Sequence, residues 1–169
     1  MIRFYVPSHL ELWVSEWYMS MNVYEPHEID EYMIAENEGV LLLEKPSPSH
    51  AYTNGQLKII CLDTRCNKYK RKKHFFHEIC HILRHDGNQS DIRASFRFMQ
   101  EIDAQNFVKY ALLPFHMLRK IDFKQPYLVE SVSELFSVSY EFAEFRLQQI
   151  RNNILSNLQS RNMYFENVI

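Results

Sequence analysis

A chain of 169 residues, 46% hydrophobic and 24% charged, has the size and make-up of one folded domain with a real core, which excludes a disordered polymer. A formal charge of −2 gives no global electrostatic case for nucleic acid, and no apolar run approaches a membrane span. Three glycines predict a largely helical chain. Three cysteines (Cys61, Cys66, Cys80), odd in number and without a Cys-x-x-Cys pair, predict reduced thiols and a cytoplasmic setting. Met1 to Pro7 lacks the apolar stretch of a secretory signal.

In chain order, Ser8 with Glu11 three residues on is a capping box. Leu10, Trp13, Val14, Trp17 and Met21 then make one amphipathic stripe, with both tryptophans sealing the core. Glu25-Pro26 opens a second short helix through Ile29, Tyr32 and Met33, closed by Asn37-Glu38-Gly39. Strand signals follow at 39–43, 51–53 and 57–62, and Asn54-Gly55 favours a two-residue type I′ hairpin between the last two. An exposed edge of such a sheet suits a substrate held by backbone pairing. The run Lys68, Lys70, Arg71, Lys72 and Lys73 predicts a solvated helix entry, opposing the helix dipole by a few tenths of a kcal/mol per cation. Its alternative is a patch attracting an acidic substrate segment or nucleic acid.

The chemistry concentrates in His77-Glu78-Ile79-Cys80-His81, within the apolar run 75–83. Residues four apart share a helix face, so His77 and His81 can aim two imidazoles at one zinc ion. Glu78 then stands beside the open coordination position, where a carboxylate can take a proton from water. A third ligand is expected from the next helical pattern, Ser95 to Leu113. There Glu101 shares an apolar stripe with Ala104, Val108, Ala111 and Leu112, and small Ala104 permits close helix approach. Asp103 lies about 200° around that helix from Glu101 and is expected to be a solvated carboxylate. His74 and His85 project onto the His77 face. His85 is expected to orient Glu101 or a ligand imidazole, and His74 to be a polar helix-entry residue. His116, Tyr52 and His85 are the candidates for stabilising an oxyanion.

The segment His77 to His85, then Glu101, Ala104, Phe107 and the Ala111-Leu112-Leu113-Pro114 ending, resembles the ImmA/IrrE family of zinc metallopeptidases. Cys80 and the continuation Leu83-Arg84-His85-Asp86-Gly87-Asn88-Gln89 look most like its prophage-borne members. The likeness covers roughly residues 38 to 150. It implies an α+β, mostly helical fold with a zincin-like (gluzincin-type) core, His77, His81 and Glu101 as ligands, and Glu78 as general base. It also implies cleavage of a regulatory protein, often a phage-type repressor. Cys80 and Phe76 depart from the Gly and Ala common in the family, which bears on packing and substrate shape.

Val129 to Phe136, the turn Ser137-Val138-Ser139 and Tyr140 to about Leu155 resemble the helix-turn-helix-like unit that follows the protease core in family members, where Arg146-Leu147 matches a frequent Arg-Leu. A DNA-reading second helix should begin basic, whereas this one begins with Glu141 and Glu144 amid aromatic residues. Structural or protein-docking use is therefore favoured over DNA binding. The expected organisation is a single domain over 1–169. It comprises N-terminal helices (1–37), a small sheet (38–62), a zinc-site helix pair (68–114) and a C-terminal helical part (115–169). The leading function is a cytoplasmic zinc endopeptidase whose protein substrate is a helix-turn-helix repressor, with no membrane partner. The alternatives are a zinc-bearing regulator that binds without cutting, and a DNA-binding switch.

Overall fold

The computed structural model describes residues 2–85 and 94–166. Asp86-Gly87-Asn88-Gln89, the end of the prophage-like continuation, lie outside the described residues, as do Met1 and the last three positions.

Helix α1 (His9–Ser20) starts at the capping box: Ser8 Oγ accepts from the Glu11 N–H at 3.3 Å, and Glu11 Oε2 accepts from the Ser8 N–H at 2.8 Å. The expected single helix opened by Pro26 is instead two pieces, a 3-10 turn Pro26–Glu28 and α2 (Glu31–Asn37). Asp30 restarts the helix, its carboxylate accepting from the N–H groups of Tyr32 and Met33 at 2.9 Å each. Gly39, at φ +64°, supplies the left-handed residue that ends α2.

Strands β1 (Val40–Lys45), β2 (His50–Thr53) and β3 (Lys58–Asp63) form a sheet in the order β1-β3-β2, with β1 parallel and β2 antiparallel to β3. β3 is central, so Ile60, Cys61 and Leu62 are buried in succession instead of alternating. The β2–β3 turn is not the two-residue hairpin expected. Thr53 pairs with Lys58, leaving a four-residue loop in which Asn54 Oδ1 accepts from the Gln56 and Leu57 N–H groups. A type I′ turn needs positive φ at both central residues, and of Asn54 and Gly55 only Gly55 (φ +86°) has it.

Helix α3 (Lys68–Arg84), capped by Asn67, packs against the sheet and against α4 (Ala94–Leu112). Ala104, Phe107, Val108, Ala111 and Leu112 of α4 are buried, which is the stripe read from the sequence. Trp13 and Trp17 of α1 both meet the ring of Phe107, at 6.1 and 5.5 Å, and the buried Tyr18 hydroxyl donates to the Ala111 carbonyl at 2.8 Å. A 3-10 segment (Phe115–Lys120) leads to α5 (Leu128–Phe136) and α6 (Tyr140–Glu166). Ser137, at φ +50°, makes the turn between these two helices, and α6 runs well past the expected Leu155. One hydrophobic cluster draws on every helix and on β1 and β3. No helix among the described residues is long and apolar enough to cross a membrane.

Two polar devices tie the C-terminal helices to this core. Lys72 is not the solvated cation expected of the basic run: it is 7% exposed and donates to the Phe136 carbonyl at 3.1 Å. An ammonium there meets the negative end of the α5 dipole. Burial nevertheless lowers its pKa below the usual lysine range, with Glu31 and Asp30 opposing. Arg71 pairs with Glu44 at 3.2 Å. The second device is Arg146 of α6, which forms an ion pair with Glu11 of α1, both side chains only 3% exposed. Tyr5 donates its hydroxyl hydrogen to Glu11, and the Arg146 guanidinium also lies 4.8 Å from the Tyr110 ring centre.

Candidate metal centre

Asn67 caps α3 so that the helix runs unbroken through 77–81, and its buried residues (Phe75, Phe76, Ile79, Cys80) anchor one side against the core. The opposite register then brings His77 and His81 together, with ring centres 4.8 Å apart and Nε2 atoms 3.1 Å apart. Glu101 arrives from α4, where buried Ala104 allows the approach. Its carboxylate oxygens stand 3.3 Å from His77 Nε2 and 3.4 Å from His81 Nε2. The three donor atoms thus converge on one point, as a metal ion requires.

The cluster is closed on one side and open on the other. The His81 side chain is 9% exposed, whereas those of His77 and Glu101 are 27% and 39% exposed. Burial first, and then the neighbouring His77, push His81 down to about 4, so its imidazole is a neutral base at physiological pH. Glu78 is half-buried beside the pair. Burial raises its carboxyl above the ordinary range, opposed by His77 and by the backbone N–H of Ala51, which donates to it from β2. A carboxylate held in this way is suited to taking and returning a proton. The edge strand β2 therefore lies directly against Glu78.

Other sequence candidates are placed differently. Of its two expected partners, Glu101 or an imidazole of the pair, His85 takes the second and sits beside His81, with the two Nδ1 atoms 2.8 Å apart. His116 is engaged elsewhere: its Nε2 is 3.2 Å from the Val23 carbonyl oxygen and its ring lies against Tyr18, which removes it as an oxyanion donor. Tyr52 is exposed on β2. His74 has a partner in Ser49, whose Oγ is 3.1 Å from its Nδ1 and also accepts from the Asp63 N–H, so it braces the β1–β2 connection to α3.

Asp103 is the residue that sequence reasoning misplaced. It is not a solvated carboxylate. It accepts from Arg84 Nε at 2.8 Å and Nη2 at 3.3 Å, stands 3.2 Å from His85 Nε2, and accepts from the Cys80 thiol at 3.9 Å. The angular argument considered α4 alone, whereas the C-terminal end of α3 presents both Arg84 and its C-cap His85 to Asp103. A basic pair ending one helix and an acid on its neighbour was the available signal. Burial pushes the Cys80 thiol up, with Asp103 adding to it, so Cys80 is a protonated donor. A cavity of about 270 Å³ lies away from the histidines, bordered by Tyr32, Glu44, Lys68, Arg71 and Lys72.

Comparison with known proteins agrees with this arrangement. The chain is 33% identical to "Uncharacterized protein YqaB" of Bacillus subtilis (strain 168), over 93% of this chain and 92% of that protein. It is 29% identical to the "Phage-like element PBSX protein XkdA" of the same organism, over 83% and 72% respectively. The family model described as the IrrE N-terminal-like domain (Peptidase_M78) matches residues 35–148, which include β1–β3, α3, α4 and the whole histidine–glutamate cluster. The α+β chain, with its small sheet and helix pair, belongs to this family of metallopeptidase type.

Proposed function

We propose that this chain is an intracellular zinc metalloendopeptidase that cleaves a regulatory protein, specifically the helix-turn-helix repressor of a prophage or mobile element. The carrying observation is the convergence of His77, His81 and Glu101 beside a half-buried Glu78. The donor set suits zinc. Two imidazole nitrogens and a carboxylate separated by 3.1–3.4 Å approximate the edges of a tetrahedron whose bonds are about 2.0–2.1 Å long.

His77, His81 and Glu101 would hold the ion, leaving the exposed side of the cluster for substrate. Zinc in such a set supplies Lewis acidity that activates water and polarises a scissile carbonyl. Glu78 accepts the proton of the attacking water and delivers it to the leaving amine. The Ala51 N–H keeps the Glu78 carboxylate aimed between these roles. β2, an edge strand of the sheet, offers its outer backbone to an extended substrate segment.

Metal analysis of single variants tests the ligand assignment. His77→Ala, His81→Ala and Glu101→Ala should each abolish stoichiometric zinc uptake, whereas Asp103→Ala should still fill at saturating zinc. Loss of zinc by Asp103→Ala with retention by Glu101→Ala would reverse that assignment.

Recognition through protein contacts is favoured by α6, which begins with exposed Tyr140 and Glu141 and carries exposed Phe145 one turn on. Incubation of the zinc-loaded protein with the repressor encoded beside it should yield discrete fragments by mass analysis. A gel shift on duplex DNA should show no sequence-specific complex. Tight specific DNA binding with no repressor captured or cut would replace this reading with a DNA-binding switch. Capture of an uncut repressor would favour a regulator that works by binding alone.

A further inference from the structure

We propose that Asp103 and His85 form a positioning relay that fixes the tautomer of His81, so that its Nε2 lone pair is presented to the metal before any metal binds. The inference rests on the zinc-site reading above and extends it to two residues that touch neither zinc nor substrate.

The hydrogen-bond directions follow from the Asp103 end. Its carboxylate is held by both nitrogens of the Arg84 fork, at 2.8 and 3.3 Å, and Arg84 is itself seated with Cζ 5.1 Å from the Trp13 ring centre. An ionised carboxylate only accepts hydrogen bonds. The 3.2 Å contact to His85 Nε2 therefore places the hydrogen of a neutral His85 on Nε2 and leaves its Nδ1 as an acceptor. That acceptor stands 2.8 Å from His81 Nδ1, which must then carry the His81 hydrogen. A neutral imidazole protonated at Nδ1 has its lone pair at Nε2, the atom that faces His77 and Glu101.

Two features make this a built relay. The His85 side chain is largely buried (8% exposed) and that of Asp103 partly so (29%), and the Cys80 thiol donates to Oδ2, the same carboxylate oxygen that faces His85. Cys80, His85 and Asp103 are also close enough to be read as a second metal set. The Arg84 guanidinium on Asp103 opposes a cation there, and the relay assigns those groups to hydrogen bonding instead.

The experiment combines long-range ¹⁵N imidazole spectra of the metal-free protein with chelator-competition titration of zinc. The metal-free wild type should show His81 as the Nδ1–H tautomer and His85 as the Nε2–H tautomer. His85→Leu should bind one zinc about 10–100-fold more weakly and show mixed His81 tautomers. His85→Gln, whose amide oxygen can accept from His81 Nδ1–H, should recover most of the affinity, and a merely space-filling role would not distinguish the two variants. Asp103→Asn, which keeps an acceptor for His85 and a partner for Arg84, should fall between wild type and His85→Leu. A His81 Nε2–H tautomer in the wild type, or unchanged affinity in His85→Leu, would overturn the relay while leaving the zinc site intact. Two zinc ions per wild-type chain would overturn it in favour of the second metal set. A wild-type chain that binds no zinc would reject the zinc-site reading itself, and the relay with it.

Discussion

Glu78→Gln should lower peptide cleavage by about 10²–10⁴-fold while leaving zinc uptake and fold unchanged. The amide is nearly isosteric and can still accept the Ala51 N–H through its oxygen, so the local packing survives. It cannot take a proton from water. His77, His81 and Glu101 direct their donor atoms toward one another. Single-turnover cleavage of the cognate protein beside metal analysis of the same sample checks both halves of the expectation. Near wild-type turnover by a fully zinc-loaded Glu78→Gln protein would remove Glu78 from the proton-transfer role.

The largest stability effect is expected far from the cluster. Arg146→Ala should cost about 3–5 kcal/mol, because it strands the Glu11 carboxylate in a site where both partners are 3% exposed. That is a large share of the roughly 5–15 kcal/mol that holds a domain of this kind together. The Ser8 N–H would still donate to Glu11, so the α1 cap persists even as the buried charge loses its counter-ion. Replacing both partners, as in Glu11→Leu with Arg146→Met, should be less damaging than Arg146→Ala alone, since no uncompensated charge remains. Urea denaturation of the single and double variants measures this. A single variant within about 0.5 kcal/mol of wild type, the range of ordinary surface changes, would refute the account.

Much of this was legible in the chain because local rules decided it. The Ser8–Glu11 box, the apolar stripe of α4 and the four-residue spacing of His77 and His81 each depend on one helix at a time. Glu101 was legible because its neighbours on the stripe had to face the core. What escaped was polar and long-range. Glu11 reads as a cap, and Lys72 as one more cation in a basic run; only their partners 135 and 64 residues away convert them into buried tethers. Asp103 escaped for the same reason, since its environment is set by the end of a different helix. The Asn54-Gly55 turn failed differently: its tight-turn signature was real, but the strand register placed four residues, not two, in the loop.

The reach of the Glu11–Arg146 pair bears on when the protein becomes complete during its own synthesis. Glu11 emerges early, and its counter-ion is added 135 residues later. Until then the buried carboxylate of α1 has no counter-ion, and the Trp13 and Trp17 rings that brace Phe107 on α4 sit on a helix that is not yet secured. A nascent chain thus carries its whole histidine–glutamate cluster well before the frame behind it can close. Securing α1 is deferred until α6 has been made, and a product truncated before α6 should be a target for quality-control proteolysis instead of a working fragment.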